Sequence, residues 1–213
     1  MIRPIIRFTF ANSDSARRCM LHTMSFSTGK KTEKSVVIYF LRRDLRLEDN
    51  PVFHALATNP EHKFDHLLPV YVFPAHQVEV SGFIPSDSQD KSPYPEARSE
   101  IGRFWRTGPH RAKFLCESVW ALKESLQNVG SNLDIRAGLL PETLQSLTRA
   151  FQEKHITVEA VWMTHMLGND ETKEEKECEQ ICEALEIGFK IWKDEKYLID
   201  EYAQPSRGVP AMS

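Results

Sequence analysis

The densest chemistry in the chain lies in Arg42–Pro51, RRDLRLEDNP, where six charged side chains fall within eight positions directly after the apolar run Val36–Leu41. Leu45 and Leu47 can turn inward while Arg42, Arg43, Asp44, Arg46, Glu48 and Asp49 pair with each other or face a partner. A second concentration of acid begins at Asp170-Glu171, ahead of a lysine- and glutamate-rich stretch. Two adjacent carboxylates there can accept hydrogen bonds from a ligand, or can cap a helix and favour its positive end. Other chemistries find no residues. No GxGxxG or GxxxxGK[ST] follows an apolar run, so neither a dinucleotide turn nor a P-loop is present. The eight histidines form no HExxH and no nucleophile–base pattern, and Cys19, Cys116, Cys178 and Cys182 show no CxxC, so no metal site is assigned. Cys178 and Cys182, four apart beside Ile181 and Leu185, are expected to be small buried hydrophobes of a helix.

These groups need elements to hold them. Val36–Leu41 (VVIYFL) is continuous, β-branched and aromatic, as a parallel strand covered on both faces requires. Asn50-Pro51 opens a helix, with Asn as N-cap and Pro in the first helical position. Leu67–Phe73 is a second strand, ended by Pro74, and a long Ser-, Asp- and Pro-containing loop runs to Gly108, too long for a mere connector. Pro109–Val129 has apolar residues at 115, 119, 122, 126 and 129, one stripe of a helix, with Gly130 just past its end. Strands at Leu133–Arg136, Glu159–Thr164 and Phe189–Lys193 then alternate with helices near Pro141–Glu153 and Asp170–Glu186. The alternation predicts an α/β fold, a doubly wound, five-stranded parallel sheet wrapped on both faces. In such a sheet ligands bind beyond the carboxyl ends of the strands, where strand order reverses, so the loops after the first, second and fourth strands are the place for a site.

The 213 residues, 41% hydrophobic and 27% charged, suit one such domain with tails. Residues 1–34 carry seven Lys/Arg against two acids, with several hydroxyl residues, the composition of a mitochondrial transit peptide; they are expected to be a disordered extension outside the fold. The remaining 179 residues have twenty basic and twenty-eight acidic side chains, and twelve of those acids lie in Asp170–Glu201. That surface repels phosphate backbones, so DNA contact is not expected from it. No apolar run reaches the roughly 18 residues of a membrane-spanning helix, and no membrane partner is expected.

The run VVIYFLRRDLRLEDNPVFHAL resembles the opening strand, loop and helix of the photolyase/cryptochrome flavoproteins. LLPVYVF, GPHRAKFLCESVWALKESLQNVGSNLDIRAG and FKIWKDEKYLID continue the resemblance in the same order, over Lys34–Asp200, and it is strongest to the DASH-type cryptochromes. The resemblance implies a Rossmann-like N-terminal domain at residues 35–200, an irregular tail at 201–213, and a light-harvesting antenna, usually methenyltetrahydrofolate. It also implies that FAD and the DNA contact belong to a helical domain absent from these residues, so the chain is expected to be a truncated antenna domain without catalytic residues. The four tryptophans, Trp105, Trp120, Trp162 and Trp192, are expected to serve packing rather than electron transfer.

A pterin presents an amidine-like edge that a carboxylate can meet with two parallel hydrogen bonds, between flat apolar walls. The resemblance gives that role to Glu171, with Asp170 as the competing carboxylate. Phe40 and Phe73, at the ends of their strands, are the expected walls, His165 a polar contact, and Met166 stands where relatives more commonly carry polar residues. The resemblance places the Arg42–Asp49 loop on the crevice rim, with Arg42 among the cofactor contacts, and Arg42, Arg43, Asp44 and Arg46 are expected to be interface charges meeting the flavin domain. Two other readings stay open: a nucleotide-binding Rossmann-like module, and a non-functional truncated product.

Overall fold

The computed structural model describes residues 6–7, 35–58 and 65–193. Chain order is β1 (Ile6–Arg7), β2 (Ser35–Leu41), α1 (Pro51–Thr58), β3 (His66–Pro74), α2 (Pro109–Asn128), β4 (Asp134–Gly138), α3 (Leu140–Gln152), β5 (Thr157–Thr164), α4 (Asn169–Ala184) and β6 (Gly188–Trp192). Five strands pair in parallel in the order β4-β3-β2-β5-β6, with β2 central between β3 and β5. The doubly wound sheet read from the alternation is therefore present, and its order reverses between β2 and β5.

The sheet departs from five parallel strands in one respect. Ile6–Arg7 pairs antiparallel with Leu67 and His66 of β3, within a stretch expected to lie outside the fold. The reason is an open edge: β4 meets β3 only from Val70 onward, leaving the first residues of β3 with unpaired backbone groups on that side. The remaining expectations for 1–34, and those for 201–213, fall outside the described residues. Among the described residues no helix is long and apolar enough to cross a membrane.

Every residue of β2 is buried, and the strand period of two sends its side chains into two cores. Val37, Tyr39 and Leu41 join Val52 and Leu56 of α1 and Val119, Leu122 and Leu126 of α2 on one face. Val36, Ile38 and Phe40 join Leu140, Leu144, Leu147 and Phe151 of α3 and Cys178 and Cys182 of α4 on the other. Each fully buried Leu or Phe side chain contributes about 1.5–3 kcal/mol through apolar burial. The helix ends follow the residues that signalled them. Asn50 Oδ1 accepts the backbone N–H groups of Val52 (3.0 Å) and Phe53 (3.1 Å) at the start of α1. Gly130, at φ 77°, takes the left-handed turn that lets the Ser131 N–H return to the Leu126 carbonyl at 2.7 Å, closing α2.

The segment between β3 and α2 packs rather than trails. Ala75, Val78, Val80 and Ala97 are buried, Ser81–Phe83 form a 3-10 turn, and Arg98 bridges to Trp105 through the backbone with its guanidinium 3.8 Å from the ring centre. This folding returns the chain over the carboxyl end of β3. Trp162 and Trp192 have ring centres 5.2 Å apart across β5 and β6, with Lys190 Nζ 3.6 Å from the Trp192 ring, and Trp120, half exposed, rests against Phe73.

Candidate functional site at the strand ends

The charged loop after β2 is organised from below by a buried hydrogen-bond network. Asp44 is fully buried; its Oδ2 accepts from the Tyr39 hydroxyl and its Oδ1 from the Arg42 backbone N–H at 2.7 Å. Asn50 Nδ2 donates to the Tyr39 hydroxyl at 3.0 Å and to the carbonyls of Asp44 and Arg46. Asp44 thus shapes the loop from within, and the expectation of an outward interface charge does not hold for it: Tyr39 and Asn50 supply donors that a sequence-local reading could not see. Arg46 turns back to the Asp49 carbonyl, while Arg43 stays more than half exposed.

The fixed loop aims its first two arginines at α4. The Arg42 side chain is nearly covered and donates to Glu175 Oε1 at 2.6 Å, to Glu174 Oε2 at 3.3 Å and to the Glu171 carbonyl at 3.4 Å. Glu175 is buried as well; it also accepts the Met166 N–H at 2.9 Å and stands 2.9 Å from His165 Nδ1. Arg43 reaches Glu171 Oε1 at 3.2 Å, and Gln77 Nε2 donates to the same oxygen at 3.2 Å. The other oxygen of Glu171 folds back over Gly168, 1.9 Å from where a Cβ would stand, so only glycine leaves room for this carboxylate at the helix start. Gly168 is the N-cap of α4 and offers no side chain, which leaves the exposed helix end to Glu171 two positions inside it. Burial pushes the Glu171 carboxyl up, but its own backbone N–H, Gln77, Arg43 and Arg42 outweigh burial and hold it below the usual range. Asp170 pairs instead with Arg106, whose hydrogen bond is the main cause of its lowered pKa.

Beyond these pairs opens a hollow of about 400 Å³, lined by Arg43, Gln77, Arg106, Thr107, Arg111, Asn169, Asp170 and Glu171. Three guanidiniums and two carboxylates make its walls strongly polar. Of the residues expected here, Glu171 and Asp170 line the hollow and Arg42 lies behind it. His165 and Met166 do not line it; both contact Glu175. Phe40 and Phe73 do not wall it: Phe40 is fully buried in the α3/α4 core, and Phe73 is fully buried against Tyr71, Phe83 and Trp120. The strand period dictates this, because both side chains point into the cores rather than off the strand ends. Sequence reasoning missed Gln77, Arg106 and Arg111, which arrive from the long loop and the first turn of α2. Glu175 carried a usable signal, since 171, 175, 178 and 182 share one helical face.

Comparison with known proteins agrees with the fold and the order of these segments. Residues 37–202 match the family model described as DNA photolyase. The chain is 53% identical over 168 residues to the mitochondrial cryptochrome DASH sequence of Neurospora crassa, covering 78% of this chain and 22% of that protein. It is 34% identical over 158 residues to cryptochrome DASH of Xenopus laevis, covering 74% and 25%. The crystal structure of a Synechocystis sp. PCC6803 cryptochrome has the same fold over 77% of this chain and 28% of that one, at a TM-score of 0.58 and 24% identity. The chain thus spans about a quarter or less of the length of these curated relatives. With the parallel sheet, the charged loop after β2 and the acids opening α4 all in the matched span, the chain belongs to the DNA photolyase family and is similar to its cryptochrome DASH members.

Proposed function

We propose that this chain is the antenna-chromophore domain of a DASH-type cryptochrome, holding methenyltetrahydrofolate in the hollow between the loop after β2, the segment that leads from β3 into α2, and the start of α4. Members of the family work with a flavin and a second, light-harvesting chromophore. The observation that carries the reading is the Glu171 carboxylate, kept ionised at the mouth of a strand-end hollow where the strand order reverses. An ionised carboxylate accepts two parallel hydrogen bonds from an amidine-like pterin edge, and the guanidinium planes of Arg43, Arg106 and Arg111 offer flat faces on which a conjugated ring can stack. The donors and acceptors present therefore fit a pterin through its polar edge, with arginine faces in place of the aromatic walls expected from sequence. When bound, such a chromophore absorbs near-ultraviolet light and passes the excitation to a flavin. The residues of this chain orient it: Glu171 by its oxygens, Gln77 and Arg43 by holding Glu171, and Asp170 by holding Arg106 in the lining.

FAD, the DNA substrate and the interdomain partner of Arg43 and Arg46 belong, on this reading, to the part of the full-length protein that lies beyond the matched span. The basic, hydroxyl-rich residues 1–34, together with the mitochondrial name of the Neurospora relative, support import into mitochondria. The test is reconstitution of the purified chain with methenyltetrahydrofolate followed by gel filtration. Wild type retains the near-ultraviolet absorbance, and Glu171→Ala loses it, binding about 100-fold or more weaker for two lost charge-assisted hydrogen bonds. Equal retention by both removes Glu171 from the site.

A further inference from the structure

Arg42 is shared by two neighbouring carboxylates of α4, and they are unequally served. Glu175 has three partners, the Arg42 guanidinium at 2.6 Å, the Met166 N–H at 2.9 Å and His165 Nδ1 at 2.9 Å. Glu174 has Arg42 at 3.3 Å on Oε2, while its Oε1 is buried without a hydrogen bond, 3.7 Å from His76 Nδ1. The opposite ring nitrogen of His76, Nε2, is also buried without a partner among the described residues. One guanidinium cannot neutralise two buried carboxylates, and an uncompensated buried charge costs several kcal/mol. The charge least compensated here is that of Glu174.

The surroundings offer little other relief. Arg42 faces Glu174 from the end of β2 and His76 from the end of β3; Arg106, before α2, acts on His76 but is paired with Asp170. From the end of β5, His165 is engaged with Glu175. On α4 itself Asp170, Glu171 and Glu177 add negative potential, and Cys178 follows one turn on.

We propose that Glu174 and His76 together hold one proton, carried on Glu174 Oε1 beside Nδ1 of a neutral imidazole, and that this proton sets the charge of the strand-end crevice. The inference is independent of what occupies the hollow. Two side-chain environments agree with the geometry: burial pushes the Glu174 carboxyl up to about 7, and burial lowers His76, keeping it neutral. Release of the proton leaves a second buried negative charge on Arg42, drawing the guanidinium from Glu175 toward Glu174. It also places that charge three residues along the helix from Glu171, so the hollow becomes more negative as pH rises through neutrality.

The experiment is a carbon-detected NMR titration of the purified full chain from about pH 5 to 9, following assigned glutamate carboxyl carbons, the His76 ring, and the amides of Gln77 and Glu171. The expected result is a Glu174 midpoint within about one unit of 7, far from the ordinary 4.5, with His76 and both amides following the same midpoint. In Glu174→Gln that transition is absent from the three probes that remain, the His76 ring and the two amides. A Glu174 midpoint below about 5.5, or a neutral-pH transition that survives Glu174→Gln, overturns the shared proton. Silence of the Gln77 and Glu171 amides through the Glu174 transition overturns its control of the crevice.

Discussion

Replacing Arg42 by Met keeps most of the side-chain volume and removes the charge on which the strand-end crevice is assembled. The Arg42 side chain is 8% exposed and serves Glu175, whose side chain is 4% exposed, together with Glu174. Taking one partner out of a buried ion pair leaves the other charge uncompensated, at a cost of about 3–5 kcal/mol. With m near ~3 kcal/mol/M for a domain of this size, the urea midpoint of Arg42→Met falls by about 1–2 M with m unchanged. The pH dependence separates this cause from simple loss of packing. Without Arg42 the folded-state carboxyl of Glu174, already raised by burial, rises further above its unfolded value. A carboxyl raised on folding contributes stability that is present below its unfolded pKa and lost as pH rises through its folded pKa. The deficit of Arg42→Met relative to wild type is therefore larger at pH 8 than at pH 5, and Glu174→Gln in the same background recovers part of it. A deficit under about 1 kcal/mol, or one of equal size at both pH values, refutes the reasoning.

Two more substitutions probe the scaffold of the site. Tyr39→Phe leaves the fully buried Asp44 short of a donor on Oδ2 and removes one of the three acceptors of Asn50 Nδ2, so urea unfolding is expected to show a loss of about 1–3 kcal/mol; an unchanged midpoint would show that the network is not needed to hold the loop. Gly168→Ala sets a methyl group where the Glu171 carboxylate lies, while its φ of −73° and ψ of 147° suit alanine, so stability should change by less than ~1 kcal/mol and methenyltetrahydrofolate affinity should fall about tenfold or more. Unaltered affinity in fluorescence titration would mean that the displaced carboxylate is not a ligand contact.

Much of the scaffold was legible because it depends on local rules. The continuous apolar run at Val36–Leu41, Asn50-Pro51 as a helix start and Gly130 as a helix stop each follow from backbone geometry and solvent exclusion at neighbouring positions. The acids at the start of α4 were legible as a pair, but not their division of labour. That division is set by Arg43 and Gln77 reaching Glu171 and by Arg106 reaching Asp170, partners separated by 64 to 128 residues. Gln77 and Arg106 sit in a loop without periodicity, where no pattern marks which side chains will meet α4. Phe40 and Phe73 were misplaced because nearness to a strand end was weighed above the alternation that sends both into the core. Asp44 was misjudged for a related reason: in a run of six charges nothing distinguishes the one carboxylate that a tyrosine hydroxyl from the preceding strand will bury.

If Glu171 holds a pterin at the strand-end hollow, titration of the full chain with methenyltetrahydrofolate, followed at the backbone amides, locates the ligand. Saturable shifts are expected at Arg43, Gln77, Arg106 and Asn169–Glu171, abolished in Glu171→Gln. Shifts centred elsewhere on the domain, or an unchanged pattern in Glu171→Gln, would contradict that role for Glu171.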